Sequence, residues 1–180
     1  MADKKVKSFL FDFDSPGGMV SGTPELANKI KGISKPKKAF ASGMIASAAY
    51  WLASACGEIW ATESSEIGSI GVYLPFHDLT KAAEMEGVKV ELIKAGKLKG
   101  IGYPGLPLSD IQREHLQARV NEIYGMFTAQ VRRNRGAHIS DETMQGQTFL
   151  AREAHARGLI DGIATSKRDV IAMLPQSQDE

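Results

Sequence analysis

The stretch AFASGMIASAAYWLASACG, residues 39–57, runs for nineteen positions without a charged side chain. A membrane-spanning helix needs about 20 apolar residues, so the length alone invites that reading. The composition argues against it. The stretch is built mostly from Ala, it contains Ser42, Ser47 and Ser54, and Gly43 interrupts any single helix drawn through it. It reads instead as a buried strand over residues 37–41, then a turn, then a buried helix of small residues over 47–56. A strand feeding directly into a helix is the unit of an α/β fold.

The flanking sequence extends that pattern. Residues 6–13 are apolar and aromatic and end at the turn cluster Asp14-Ser15-Pro16-Gly17-Gly18, which predicts a buried strand. Thr23-Pro24-Glu25 is a helix start, with Thr23 as the cap and Pro24 in the first turn, and the helix should end near Gly32. Residues 58–62 and 67–74 suit two short strands. Asp78 caps a helix that stops at Gly87, and residues 88–94 alternate like a strand.

A loop rich in Gly, Lys and Pro fills residues 95–107. Ser109 then caps a long helix on which Leu116, Val120, Ile123, Phe127 and Val131 form one apolar stripe. Short helices follow from Ser140, over residues 151–157 with a stop at Gly158, and over 166–173, before a frayed tail PQSQDE. Strands alternating with helices predict an α/β protein with a largely parallel sheet. There is no internal repeat and no linker, so residues 1–180 read as a single domain.

Composition narrows the function classes. A chain of 180 residues supports one compact core. Lysines and arginines number 22 against 21 acidic residues, a balance that gives no electrostatic case for nucleic acid or an anionic membrane surface. The single cysteine, Cys56, excludes an internal disulfide framework and fits a reducing compartment. The N-terminal apolar run is broken by Asp12 and Asp14, so no signal peptide is expected. No His, Asp or Glu group has metal-site spacing, and no cofactor is expected.

Two strand-to-helix turns stand out chemically. The paired glycines Gly17-Gly18 allow close backbone approach to a ligand and leave N–H groups free, although the pentapeptide taken alone is simply a tight turn. It is not a phosphate loop, because the Gly-Lys-Ser/Thr ending is missing. Ser47, among small residues at a helix start, can present its hydroxyl without obstruction, with the next N–H groups and the helix dipole placed to stabilise an oxyanion. Taken alone, such a serine is most often a helix cap.

Five motifs in order make these two turns more specific: DFDSPGG (12–18), ASGMIASAAYW (41–51), IGSIGVY (67–73), LIKAGKLKGIGYP (92–104) and EAHARGLIDGI (153–163). Together they resemble the signal-peptide-peptidase A family of Ser–Lys serine proteases, and its soluble phage-capsid branch more than its membrane-anchored one. The resemblance implies a Clp-protease/crotonase-like fold of stacked ββα units. It implies Ser47 as the nucleophile and Lys99 as the general base, with Lys94 and Lys97 as neighbouring decoys. It implies an oxyanion hole combining the Ala48 N–H with one from Gly17 or Gly18, Gly17 being the first choice. Ser69 matches a position whose hydroxyl could bond the lysine amine. The family usually has glycines where this chain has Ala48 and Ala49.

Such a dyad makes physical demands. A serine hydroxyl is a weak nucleophile until a neighbouring base takes its proton. A lysine with an ordinary pKa of about 10.4 cannot do so at neutral pH, and needs burial or nearby positive charge to depress it. The rival arrangement is a Ser–His–Asp triad drawn from His77, His115, His138 and His155. His77 adjoins Asp78, but Asp78 also reads as a helix cap, and His115 and His155 lie among charged helix residues.

The resemblance implies an endopeptidase acting on extended peptide or protein segments with small or apolar residues, as in capsid or scaffold maturation. It also implies a homo-oligomer with sites near protomer interfaces, located in the cytoplasm, or in the host cytoplasm or virion for a phage-type member. Two other classes compete: an inactive assembly protein that keeps the fold, and a crotonase-like acyl-CoA enzyme. Family domains usually carry further strands before the SPGG strand, so the N-terminal part of the domain is expected to be short here.

Overall fold

A computed structural model describes Asp3 and residues 5–175, in two compact units. The first takes the residues up to Gly71 together with those from Tyr124 onward, and the second is Val72–Ile123.

The first unit is built on a six-stranded sheet. Strand β1 (Phe9–Ser15) leads to helix α1 (Thr23–Lys31), strand β2 (Lys37–Ala46) and helix α2 (Ala48–Ala53), which tightens into a 3-10 turn at Ser54–Cys56. Strands β3 (Glu58–Ala61) and β4 (Glu66–Gly68) follow. β2 is the hub. It pairs with β1 on one side, and on the other with β3 along its first half and β4 along its second, all in parallel.

The largely parallel α/β sheet therefore stands. The exception is β4, whose other neighbour, strand β5 (Thr148–Leu150), runs antiparallel to it. β5 continues straight into helix α5 (Ala151–Ala156). Strand β6 (Gly162–Ile163) closes the edge beside β3, and helix α6 (Lys167–Ala172) follows, held by a reciprocal cap in which Ser166 and Asp169 bond each other's backbone N–H.

Packing follows from the small residues in residues 39–57. Ala39, Ala41, Ile45, Ala49, Ala53 and Ala55 are all buried, so α2 sits close to the sheet. Trp51 and Tyr50 supply the bulk. The Trp51 ring stacks on Phe127, with centroids 4.5 Å apart and planes 3° from parallel, and its Nε1 donates to Gln130 Oε1 at 2.7 Å. The Tyr50 hydroxyl donates to the Leu159 carbonyl at 2.9 Å. Polar groups of such rings must find partners when buried, and both do. A smaller cluster joins Phe40 to Val170 of α6.

Arg135 knits the far ends together. Its side chain is almost wholly buried and donates to Asp161 at 2.7 Å and to the carbonyls of Gly57 and Gly158. The same Asp161 carboxylate accepts the Ile59 N–H at 2.7 Å.

The second unit holds helix α3 (Thr80–Met85), a segment over residues 88–94 that is neither helix nor strand, a run of turns, and the first part of helix α4 (Asp110–Arg135), whose later part belongs to the first unit. Residues 88–94, which alternate in polarity, pair with no other strand among the described residues. Alternation supplies a face, but a strand also needs a neighbour to bond.

Other boundaries shift for local reasons. Gly22, not Thr23, caps α1, and the Thr23 hydroxyl instead bonds the Met19 carbonyl at 2.9 Å. The strand expected over 67–74 stops at Gly68. α3 starts one residue after its cap position at Leu79, with Asp78 holding the Thr80 N–H and hydroxyl. The helix expected from Ser140 is one 3-10 turn, Glu142–Met144. On α4 the stripe grades from half-buried Leu116 and Val120 to fully buried Phe127 and Val131. Apart from Pro175, the tail PQSQDE lies outside the described residues. Among the described residues no helix is long and apolar enough to cross a membrane.

Candidate active site

The site begins with a register fault. β1 and β2 pair Phe13 with Ala41 but Ser15 with Ile45, so β2 bulges between these points. The Asp14 carboxylate fills the gap and accepts the Met44 N–H at 3.1 Å. Gly43 makes room for it, since a Cβ there would stand 2.5 Å from Asp14 Oδ1. The residue that looks like a helix breaker in the sequence is thus a bulge residue inside a longer strand.

Beyond the bulge, β2 delivers Ser47 into a sharp turn. Ser47 has φ 53° and ψ −124°, outside the ordinary regions for a side chain of its kind. Two hydrogen bonds hold it there: its N–H donates to the Gly68 carbonyl at 2.8 Å, and its carbonyl accepts from the Trp51 N–H at 3.0 Å. Ser47 occupies the cap position of α2, yet its side chain makes no capping bond, and Oγ has no hydrogen-bond partner among the described residues. The reading of Ser47 as an ordinary helix cap therefore fails on geometry.

The glycine turn packs on this serine. Gly17 adopts φ 111°, and a Cβ on it would lie 2.6 Å from Ser47 Cβ and 3.0 Å from the Ala48 nitrogen. Only glycine permits that approach. The Gly17 N–H donates to Ser15 Oγ at 3.2 Å, whereas the Gly18 and Ala48 N–H groups have no partner among the described residues. Ala48 opens α2 in ordinary helical geometry. Ser47 and Ser69 are the only non-glycine residues with positive φ among those described, so neither Ala48 nor Ala49 needs a glycine backbone. Strained backbone of this kind collects at functional sites.

Ser69, the other strained residue, has φ 51° and follows directly on the Gly68 carbonyl that holds Ser47. Its N–H donates to the Gln147 carbonyl at 2.8 Å. Ser47, Ala48, Gly17, Gly18 and Ser69 are thus gathered in the first unit. The signal that sequence reading missed is Asp14-to-Gly43, an acid and a glycine 29 positions apart whose fit sets the turn.

Lys99 belongs to the second unit, where it is exposed on the turn following Gly96, its N–H bonded to the Gly96 carbonyl at 3.1 Å. The Lys94 ammonium is occupied by the Lys97 carbonyl at 3.2 Å. In the same unit the Asp78 carboxyl lies below its usual range because the Thr80 hydroxyl and N–H both donate to it. That carboxylate starts a helix and does not orient an imidazole. Among the described residues no group of three or more His, Cys, Asp or Glu side chains is arranged to hold a metal ion.

Comparison with known proteins agrees with the motif order. The model of peptidase family S49 matches residues 29–179. A relative in Methanocaldococcus jannaschii is 33% identical over 97% of this chain and 57% of its own length. Capsid assembly protease C of Escherichia phage lambda is 33% identical over 99% of this chain and 41% of that protein. The chloroplastic serine protease SPPA of Arabidopsis thaliana is 30% identical over 93% of this chain and 25% of that protein. The chain therefore spans about half or less of these curated relatives, and on the strength of the family match it belongs to peptidase family S49.

Proposed function

We propose that this chain is a single peptidase domain of the Clp-protease/crotonase-like type, acting as a serine endopeptidase through Ser47 and Lys99. One observation carries the reading: a strained serine with a free hydroxyl, held between an unpartnered Ala48 N–H and a glycine turn fitted against its Cβ. Ser47 Oγ attacks a peptide carbonyl and its proton passes to Lys99 Nζ. The carbonyl oxygen takes up negative charge, facing the Ala48 N–H and that of Gly18, the glycine whose donor is not already engaged.

Collapse of this intermediate breaks the C–N bond, and the proton moves from Lys99 to the leaving amine. Water, losing its proton to Lys99, then hydrolyses the acyl ester and restores Ser47. Ser69 Oγ orients the lysine amine. An extended substrate lies beside the SPGG turn as an added strand, and small or apolar residues suit the cleavage point.

A lysine becomes a base only when desolvated or crowded by positive charge, and Lys99 is exposed. We therefore take the active form to be a homo-oligomer in which a neighbouring protomer covers it. The similarity to a phage capsid protease makes structural proteins of a virus head one candidate substrate class.

The test is labelling with a fluorophosphonate together with cleavage of a peptide library. Wild-type protein should be labelled at Ser47 and should cleave, and Ser47→Ala and Lys99→Ala should each lose cleavage by about 10³-fold or more. Full cleavage by both variants would sink the dyad.

A further inference from the structure

The second unit contains a cavity of about 590 Å³ that the peptidase reading does not use. Its volume falls within the about 300–1,000 Å³ typical of small-ligand sites. Phe76, Leu79 and Leu116 give it an apolar lining, and His77, His115 and Arg119 stand around it. His115 and Arg119 are one helical turn apart on α4, so they share a face, and His77 comes from the loop before α3.

No acidic residue lines the cavity. No side chain of His77, His115 or Arg119 has a hydrogen bond or ion pair among the described residues. An unpaired guanidinium beside apolar surface, flanked by two imidazoles, is complementary to a single anionic group carried on an apolar body. A carboxylate fits best, because guanidinium binds it through two parallel N–H bonds.

We propose that this cavity binds the free C-terminal carboxylate of a short apolar peptide, with Arg119 holding the carboxylate, His77 and His115 donating beside it, and the last side chains lying against Phe76, Leu79 and Leu116. The site belongs to the second unit and Ser47 to the first, and it goes beyond the peptidase reading, on which the choice of a peptide carboxylate as occupant rests. A protein that cuts after small or apolar residues generates such carboxylates, so the cavity would sense or retain its own acyl-side product.

The test is titration of intact protein carrying Ser47→Ala with acetyl-Ala-Leu-Phe as the free acid, read by calorimetry and by amide chemical shifts. The free acid should bind at least tenfold more tightly than its C-terminal amide, with shifts centred on residues 74–119. Arg119→Gln, at an exposed position, should weaken the acid tenfold or more and leave the amide unchanged. Leu116→Trp, which fills the cavity, should abolish both.

Equal binding of acid and amide would overturn the proposal, as would an unaltered affinity in Arg119→Gln. So would decanoate or inorganic phosphate binding as tightly as the peptide, which would mark the cavity as a fatty-acid or general anion site. Because Ser47 is absent, these outcomes stand apart from the success or failure of the catalytic reading.

Discussion

Ser47 adopts its backbone angles because neighbours on both sides leave it no relaxed alternative. Its N–H is tied to Gly68 and its carbonyl to Trp51, while Gly17 presses on its Cβ. The weakest point of this arrangement is Gly17. Gly17→Ala introduces a Cβ into space already taken by Ser47 and requires φ 111° of an alanine, whereas Gly18 has open space around it and a permitted φ. Gly17→Ala should lower peptide cleavage by about 10²-fold or more with circular dichroism unchanged, and Gly18→Ala, which keeps its N–H, should lose less than about tenfold. Equal effects of the two substitutions, measured as kcat/KM, would show that the close approach does not matter.

At the scale of elements, the unit formed by β2 and α2 organises the first unit's core. Trp51 is its largest fully buried side chain, stacked on Phe127 and bonded to Gln130 of α4. Trp51→Ala should destabilise the protein by about 3–5 kcal/mol, seen as a lower urea midpoint. Trp51→Phe, which keeps the stacking and leaves Gln130 Oε1 without its donor, should cost less.

The same scale shows what the sequence could reveal. The helix after Ser47 was legible because its small residues and its aromatic pair fit no exposed element. The second half of β2 was not, because Gly43 resembles a breaker unless Asp14 is known to lie against it. β5 and β6, three and two residues long, are too short for any period to register. Residues 88–94 have the period without a partner. Of the site, Ser47 and the two glycines came from motif order, and their juxtaposition depends on a bulge that no local pattern announces.

Across the whole molecule, buried titratable groups set the alkaline limit. Burial pushes the Cys56 thiol from 9.0 up to about 12 and raises the Tyr50 hydroxyl well above its ordinary value. Both groups are neutral when protonated, so the folded chain keeps protons that the unfolded chain gives up. Their contribution is intact below about pH 9 and declines as pH rises towards 12, by up to about 1.4 kcal/mol per pH unit for each group. The urea midpoint should therefore fall between about pH 8 and about pH 10.5, and Cys56→Ala should flatten part of that fall. A midpoint that does not move would contradict the burial of both groups.

β2 has one further consequence. Three strands bond to it, β1 on one side and β3 and β4 on the other, so β2 is bonded along both of its edges. Exposing its backbone means parting strands inside the sheet, whereas three-residue β5 and two-residue β6 stand at the ends of the strand order, where opening costs least. The nucleophile candidate thus hangs from an interior strand, away from the ends of the sheet that open most readily.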